Sequence, residues 1–351
     1  MARNWIAWSR WFCLSLALFA GLVFTFIAGL DPFGLRVGVG QAPRPIMDIN
    51  QRFMYPQLVR SGAFDAAVVG TSTMRLVDPR ALSRDLGARF ANLAMNAATP
   101  WEQMQTARLF QAHVAAPRWL VWGLDQTWCE ADATDPAKWR TPRPVPAWFS
   151  RDVRWFDWLK LVNLTNLEIA GRLLAYRFGL TRERIRGDGY EVFTPPEASY
   201  DLSRARSHIY QGSGGKPEDL SPLPPAPVPL SESAGWRFPA LDWLADSLAA
   251  YPPATRIMIV LPPSHVAAFP RTNSAGWQRY AACKSRVAAI ARARGAALVD
   301  YAHPSPLTSD DTHYWDALHF RLPVAQRLEQ ELAAIATGGA PFDDGAARLS
   351  H

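Results

Sequence analysis

Hydrophobic positions fall into three regimes along the chain. From Phe12 to Leu30 the sequence FCLSLALFAGLVFTFIAGL runs nineteen residues without a charge, which at about 1.5 Å per residue matches the hydrocarbon core of a bilayer. The run is apolar on every face, unlike the one-sided stripe of a soluble helix. Arg3 and Arg10 precede it, and Trp5, Trp8 and Trp11 stand where an interfacial aromatic belt would lie. This bias of positive charge predicts a cytoplasmic N-terminus over 1–11, a transmembrane anchor over 12–30 and everything later outside the cytoplasm. The length of the run, and the lack of an A-x-A site after it, argue against a cleaved signal peptide.

A second regime covers residues 31–60, a Pro/Gly-bearing stalk that ends in the helical lead-in MDINQRFMYPQLV. In the third, short apolar runs alternate with amphipathic stretches. FDAAVVG (64–70), RFANLAM (89–95), RWLVWGL (118–124), TRIMIVLP (255–262) and AALVDYA (296–302) read as strands bounded by polar, Gly or Pro signals. Helices are expected at 100–115, 237–250, 274–294 and 322–336. Near-continuous apolar strands separated by helices predict an α/β domain over 61–336, with a five-stranded, mainly parallel sheet covered on both faces. Residues 337–351 read as a tail.

An insertion over 126–236 separates the third and fourth strands. Ser150 to Phe178 reads as helical, and roughly 186–235 as loop, with GSGG at 212–215 and SPLPPAPVPL at 221–230. Loops this long belong to lids, binding loops or surface elaborations. No internal repeat occurs.

Composition narrows the classes. Hydrophobic residues make up 49% and charged residues 19% of the 351, which suits a packed core and excludes global disorder. The net charge of +6 is spread without a long Lys/Arg run, so no nucleic-acid module is expected. Cys13, Cys129 and Cys283 fit no zinc spacing. Two unpaired buried thiols at 129 and 283 is the favoured expectation over a bridge. Trp148, Trp155 and Trp158 recur at helical spacing, which favours packing or membrane-edge contact over sugar stacking.

In open α/β sheets, ligands bind at the carboxyl ends of the strands. There stand Gly70-Thr71-Ser72, Asn96, Asp125, Ser264-His265 and, after the fifth strand, SDDTHYWDALHFR (309–321). A serine nucleophile needs a base and a group that orients the base. In DALH, Asp316 and His319 are three residues apart, so a turn sets them on one side, with Asp316 holding one imidazole nitrogen and Ser72 facing the other. Against this stand Ser72 as a mere turn residue, His319 as a structural histidine and His313 as a rival base. A metal cluster of Asp311, His313, Asp316 and His319 is the least favoured reading. Arg75 and Arg321 flank the two blocks and are candidates for an anionic substrate, against a surface or core-capping role.

A serine after the first strand and a late D-x-x-H resemble the SGNH (GDSL-like) hydrolase superfamily. GTST in place of GDS, NLAMNAATPWEQ and WDALHF look like its membrane-anchored extracytoplasmic branch, which includes O-acetyltransferase-type proteins of polysaccharide and cell-envelope pathways. The resemblance covers roughly 60–130 and 253–335, leaving the insertion out. It implies a three-layer α/β/α, flavodoxin-like fold with Ser72 as nucleophile, His319 as base and Asp316 as orienter. Oxyanion donors would be the Ser72 N–H and, in the second block, Ala97 or Asn96 where the family has glycine. In the third block, Asp125 stands where the family often has Asn, and an ionised carboxylate donates nothing. Asp125 would then be protonated, or Asn96 or Gln126 would substitute, or hydrolytic power would be low.

The expected function is a periplasmic serine acyl-esterase or O-acyltransferase on a polysaccharide or envelope glycan, working without metal or soluble cofactor. It would lie in the inner membrane by a single pass, and a membrane-embedded acyl-donor protein is an expected partner. The alternative is a non-catalytic protein of the same fold that binds glycan or an envelope assembly.

Overall fold

A computed structural model describes residues 2–350. In chain order, α1 (Ala2–Leu30), α2 (Gln51–Met54) and α3 (Pro56–Arg60) come first. An alternating run follows: β1 (Ala66–Val69), α4 (Pro79–Leu86), β2 (Phe90–Asn92), α5 (Pro100–His113) and β3 (Trp119–Gly123). Next come α6 (Leu164–Arg177), α7 (Leu202–Ile209), α8 (Leu230–Ser233), α9 (Ala240–Ala249), β4 (Arg256–Leu261) and α10 (Ala275–Arg294). The last elements are β5 (Ala297–Asp300), α11 (Pro306–Ser309), α12 (Leu322–Ala336) and β6 (Arg348–Ser350).

The chain forms two compact units, Met1–Ala63 with Val145–Gly187, and Phe64–Pro144 with Asp188–His351. This differs from the sequence-based division, in which 31–60 is a stalk and 126–236 one insertion. In the first unit, α6 and a 3₁₀ turn at Trp155–Leu161 pack on α1. Ile46 and Ile185 form an antiparallel bridge, and Phe33, Phe53 and buried Trp148 meet ring to ring. The stretch expected as one helix over 150–178 breaks before Asn163, whose side chain caps α6 by accepting from the Asn166 N–H at 2.9 Å. α1 is long and apolar enough to cross a membrane.

The second unit holds one mixed α/β sheet in the order β2-β1-β3-β4-β5-β6. The first five strands run parallel, and β6 pairs antiparallel with β5 through Val299 and Leu349. So the C-terminal stretch expected as a tail closes one sheet edge, a pairing no short polar segment announces. β1, β2 and β3 are buried along their whole length, which is why they read as unbroken apolar runs. α5 starts on a Thr99/Glu102 capping box with Pro100 at its first turn. α4 and α10 end on Gly87 and Gly295 in the left-handed conformation. α4 and α7 are absent from the sequence expectation. α7 sits within the supposed loop 186–235, where Asp201 caps it and Ala205 and Ile209 bury a narrow apolar face.

Cys129 and Cys283, 154 residues apart, are joined in a disulfide, contrary to the expectation of two unpaired thiols. The turn after β3 and the helix α10 bring the two Cα atoms to 5.7 Å, a proximity the spacing alone does not encode.

On α12, buried Glu329 accepts a 2.6 Å hydrogen bond from the Asp78 N–H that opens α4. Burial pushes its carboxyl up to about 7, against the downward pull of that N–H. An unfolded glutamate ionises near ~4.3, so the native state holds the extra proton between that pH and about 7. Stability therefore falls as pH rises through this window. Glu329→Gln keeps the acceptor and removes the titration. The variant is expected to lose about 2–3 kcal/mol less stability than the parent between pH 5 and 8, read by urea unfolding at each pH.

Candidate active site

β1 lies between β2 and β3, and the strand order reverses at the β1/β3 boundary, where a crevice opens beyond the carboxyl ends. The chain leaves β1 through Gly70 and Thr71 and enters a 3₁₀ turn at Ser72–Met74. The Met74 side chain fills the notch above Gly70 and Gly123: a Cβ on Gly70 would come within 2.8 Å of Met74 Cγ, and one on Gly123 would overlap it. The turn is thus seated on the end of β3. Buried Asn92, the last residue of β2, ties it from the other side by donating to the Met74 and Val77 carbonyls at 2.9 and 2.8 Å.

The DALH block lies in a loop pinched by a Tyr314–Phe320 bridge and by the Trp315 N–H to His319 carbonyl bond at 2.9 Å. Asp316 uses both carboxylate oxygens. Oδ1 accepts from the Leu318 and His319 N–H groups at 2.8 and 2.9 Å, and Oδ2 lies 2.8 Å from His319 Nδ1. His319 Nε2 lies 2.8 Å from Ser72 Oγ, across 247 residues of sequence. With Nδ1–H donating to Asp316, Nε2 accepts the Ser72 hydroxyl, and the imidazole can take that proton. Burial alone would raise the Asp316 carboxyl. The hydrogen bond and charge of His319, with the two backbone donors, hold it below the ordinary aspartate range.

The other expected residues divide. Ala97 is at φ 47, a left-handed conformation unusual for a residue with a Cβ, and it lines the same 440 Å³ cavity as Ser72, His319, Asp125 and Gln126. A second cavity of 560 Å³ shares Ala97, Asp125 and Thr127 with it. Asp125 Oδ1 accepts from the Thr127 N–H at 3.1 Å and from the Thr127 hydroxyl. Burial pushes this carboxyl above the ordinary aspartate range, while the bonds from Thr127 and Thr71 pull it down. Asp125 therefore braces the ends of β1 and β3 as an acceptor. Gln126 turns its amide to the Ala268 carbonyl at 3.0 Å.

Both arginines are engaged with neighbouring groups. Arg75 is buried, donates to Asn96 Oδ1 and to Glu191, and lies 4.5 Å over the Phe193 ring. Arg321 pairs with Glu197, donates to the Thr312 carbonyl at 2.9 Å and lies 3.7 Å over the Tyr200 ring. Each guanidinium is matched by a carboxylate, an arrangement that fits the core-capping alternative at these two positions. Glu191, Phe193, Glu197 and Tyr200 are the residues sequence reasoning missed. They come from the segment the resemblance left out, and Phe193 sets its ring edge-on to His319 with centroids 5.4 Å apart. Only the three-dimensional pairing singles them out.

The rival readings also receive positions. His313 Nδ1 lies 3.0 Å from the Leu307 carbonyl, and its Nε2 is 4.0 Å from Asp310. Ser264 lines the cavity. Its neighbour His265 is fully buried, with Nε2 3.1 Å from Asp311 Oδ1, and burial pushes the imidazole below the ordinary histidine value. Asp311 also accepts from the Tyr210 hydroxyl and Arg206 Nε, both at 2.7 Å. Asp311, His313 and the Asp316–His319 pair thus face different partners, and among the described residues no group of three His, Cys, Asp or Glu could hold a metal ion.

The left-handed Ala97 carries a measurable cost. Ala97→Gly relieves the clash of Cβ with the backbone at the expense of a looser unfolded chain. A net gain of about 0.5–1 kcal/mol is expected in chemical unfolding of the full chain in detergent. Comparison with known proteins finds no family model, no curated protein and no solved structure that matches this chain.

Proposed function

We propose that the chain is a membrane-anchored serine enzyme of acyl transfer, with Ser72 as nucleophile, His319 as general base and Asp316 as its orienter. The single observation that carries this reading is the unbroken chain of two 2.8 Å contacts from Ser72 Oγ through His319 to Asp316. The fold supports it. The parallel order β2-β1-β3-β4-β5 puts Ser72 at the switch point. α12 packs on α4, which meets β2, while α5, α9 and α10 form a second group touching β1 and β5. That division agrees with a three-layer SGNH-like domain.

In the proposed cycle, His319 Nε2 takes the Ser72 proton as Oγ attacks the carbonyl carbon of an ester or thioester. The tetrahedral oxyanion forms against the backbone N–H groups of Ser72 and Ala97 and the Asn96 amide, whose oxygen is held by Arg75. Collapse expels the leaving alcohol or thiol, protonated by His319, and leaves an acyl-Ser72 ester. Water or a sugar hydroxyl, deprotonated by the same imidazole, then attacks the acyl carbon; the bond to Ser72 Oγ breaks, His319 returns the proton to that oxygen, and acid or acylated sugar is released. The two cavities of 440 and 560 Å³, which share Ala97, Asp125 and Thr127 in their walls, offer room for an acceptor larger than water, which favours an O-acyltransferase acting on an envelope glycan. A membrane-embedded acyl donor remains the proposed partner.

Two features support the proposed compartment. Arg3 and Arg10 favour a cytoplasmic N-terminus by charge bias. The Cys129–Cys283 bridge suits an oxidising space, so the second unit is proposed to be periplasmic.

One observation favours the second reading, a non-catalytic glycan-binding protein: Asp125 brings a carboxylate, not a donor, to the cavity wall. A fluorophosphonate probe separates the two. Labelling of the full chain in detergent, abolished in Ser72→Ala, is expected. A folded parent that stays unlabelled while both forms bind glycan equally would establish the binding protein instead. Asp125→Asn keeps an acceptor for Thr127 and adds a donor at the cavity. It is expected to raise kcat on a small acetyl ester several-fold, toward the order of 10²-fold that one oxyanion donor supplies.

A further inference from the structure

We propose that the segment from Trp155 to Leu180 in the first unit is embedded in the lipid bilayer, in the leaflet where α1 ends, as a second membrane contact beside the anchor. The inference rests on the reading of α1 as a membrane span and concerns only the unit that contains it.

Depth along α1 locates the segment. Every described α1 side chain from Asn4 to Leu22 is exposed, whereas Ile27 and Leu30 are buried and most of Val23–Leu30 is at least partly covered. Within this unit α6 and the Trp155–Leu161 turn are the elements packed on α1. If the membrane ended where the covering begins, the span from Arg10 to Leu22 would measure about 18 Å. A hydrocarbon core is about 30 Å thick. The missing 12 Å or so is the length of Val23–Leu30. Those two turns are uncharged and apolar but for Thr25, whose hydroxyl donates to the Gly21 carbonyl at 2.8 Å, and the next cation is Arg36, which donates to the Gly29 carbonyl at 3.2 Å and closes the helix end. The bilayer must then reach Leu30, and whatever lies against Val23–Leu30 lies at leaflet depth.

The covering elements have surfaces suited to that position. Trp155 is 76% exposed, Leu159 58%, Leu164 85%, Phe178 72% and Leu180 79%. Large apolar side chains this exposed are costly in water and concentrated here beside the span. Trp158 lies under Arg36, with the guanidinium carbon 5.3 Å from the ring centroid, an aromatic–cation pair fit for the headgroup level. Residues 151–186 carry eight Lys and Arg against four Asp and Glu, a balance that attracts anionic lipid. An apolar surface rimmed by arginine, continuous with a membrane helix, is the pattern of an interfacial anchor.

The test uses the full chain in vesicles of phosphatidylcholine and phosphatidylglycerol, with Cys13→Ser removing the one free thiol among the described residues. Leu159→Cys and Leu180→Cys carry an NBD fluorophore. Leu18→Cys in α1 and Leu230→Cys, exposed in the second unit, serve as references. Emission from 159 and 180 is expected to be blue-shifted and to be quenched by doxyl-labelled lipid as at 18, with 230 unquenched. Water-like, iodide-accessible emission at 159 and 180, matching 230, would overturn the proposal. So would blue-shifted emission that the labelled lipid fails to quench, since a second protein surface would then cover the patch. Absence of lipid quenching at Leu18 would remove the anchor itself and the depth argument with it.

Discussion

The parallel pairing of β1 on both sides is the constraint from which the site follows. Ala66–Val69 hydrogen-bonds with β2 through one edge and with β3 through the other, so its direction and depth leave no freedom. The residues beyond its carboxyl end must emerge between the ends of its two neighbours. Met74 then drops into the notch above Gly70 and Gly123, and Asn92 holds the turn's carbonyls. Ser72 is left at the rim of a crevice, with its hydroxyl aimed by a backbone that has nowhere else to go.

A rigid turn at Ser72 does not by itself position an imidazole that arrives 247 residues later. That is achieved by the segment after Asp188, through two carboxylate–guanidinium pairs. Glu191 meets Arg75 in the first block and Glu197 meets Arg321 in the last. Between them Phe193 sets its edge against the His319 ring. The pairs are largely screened from water, where removal of either partner would strand a charge. The arginines thus serve to join the two blocks through a common brace, and the insertion contributes to the site without supplying a reacting atom.

The asymmetry between the site's strong and weak parts is informative. The hydrogen-bonded chain from Ser72 through His319 to Asp316 has short contacts and a carboxylate kept ionised by its neighbours. The donor side is thinner: Ala97 accepts a left-handed backbone where glycine would be unstrained, and Asp125 offers lone pairs bonded to Thr127. Under the proposed function, such a balance suits an activated acyl donor, whose leaving group shares the work of stabilising the transition state.

The chain's alternation of apolar runs and amphipathic stretches determined the α/β class, the five parallel strands, the four long helices of the second unit and the apolar span, because each is encoded in local periodicity. It also set Ser72, Asp316 and His319 apart, since residues at strand ends and in an i, i+3 turn are fixed by short-range geometry. Tertiary structure alone decided what depends on distant partners. β6 is three residues with no strand signal until β5 offers an open edge. Cys129 and Cys283 look like isolated thiols until the β3 turn meets α10. Arg75 and Arg321 leave substrate binding and core capping both open in the sequence, and their partners Glu191 and Glu197 are named only by the fold. In each case the deciding energy lies in a contact between segments far apart in sequence, and no local pattern carries that information.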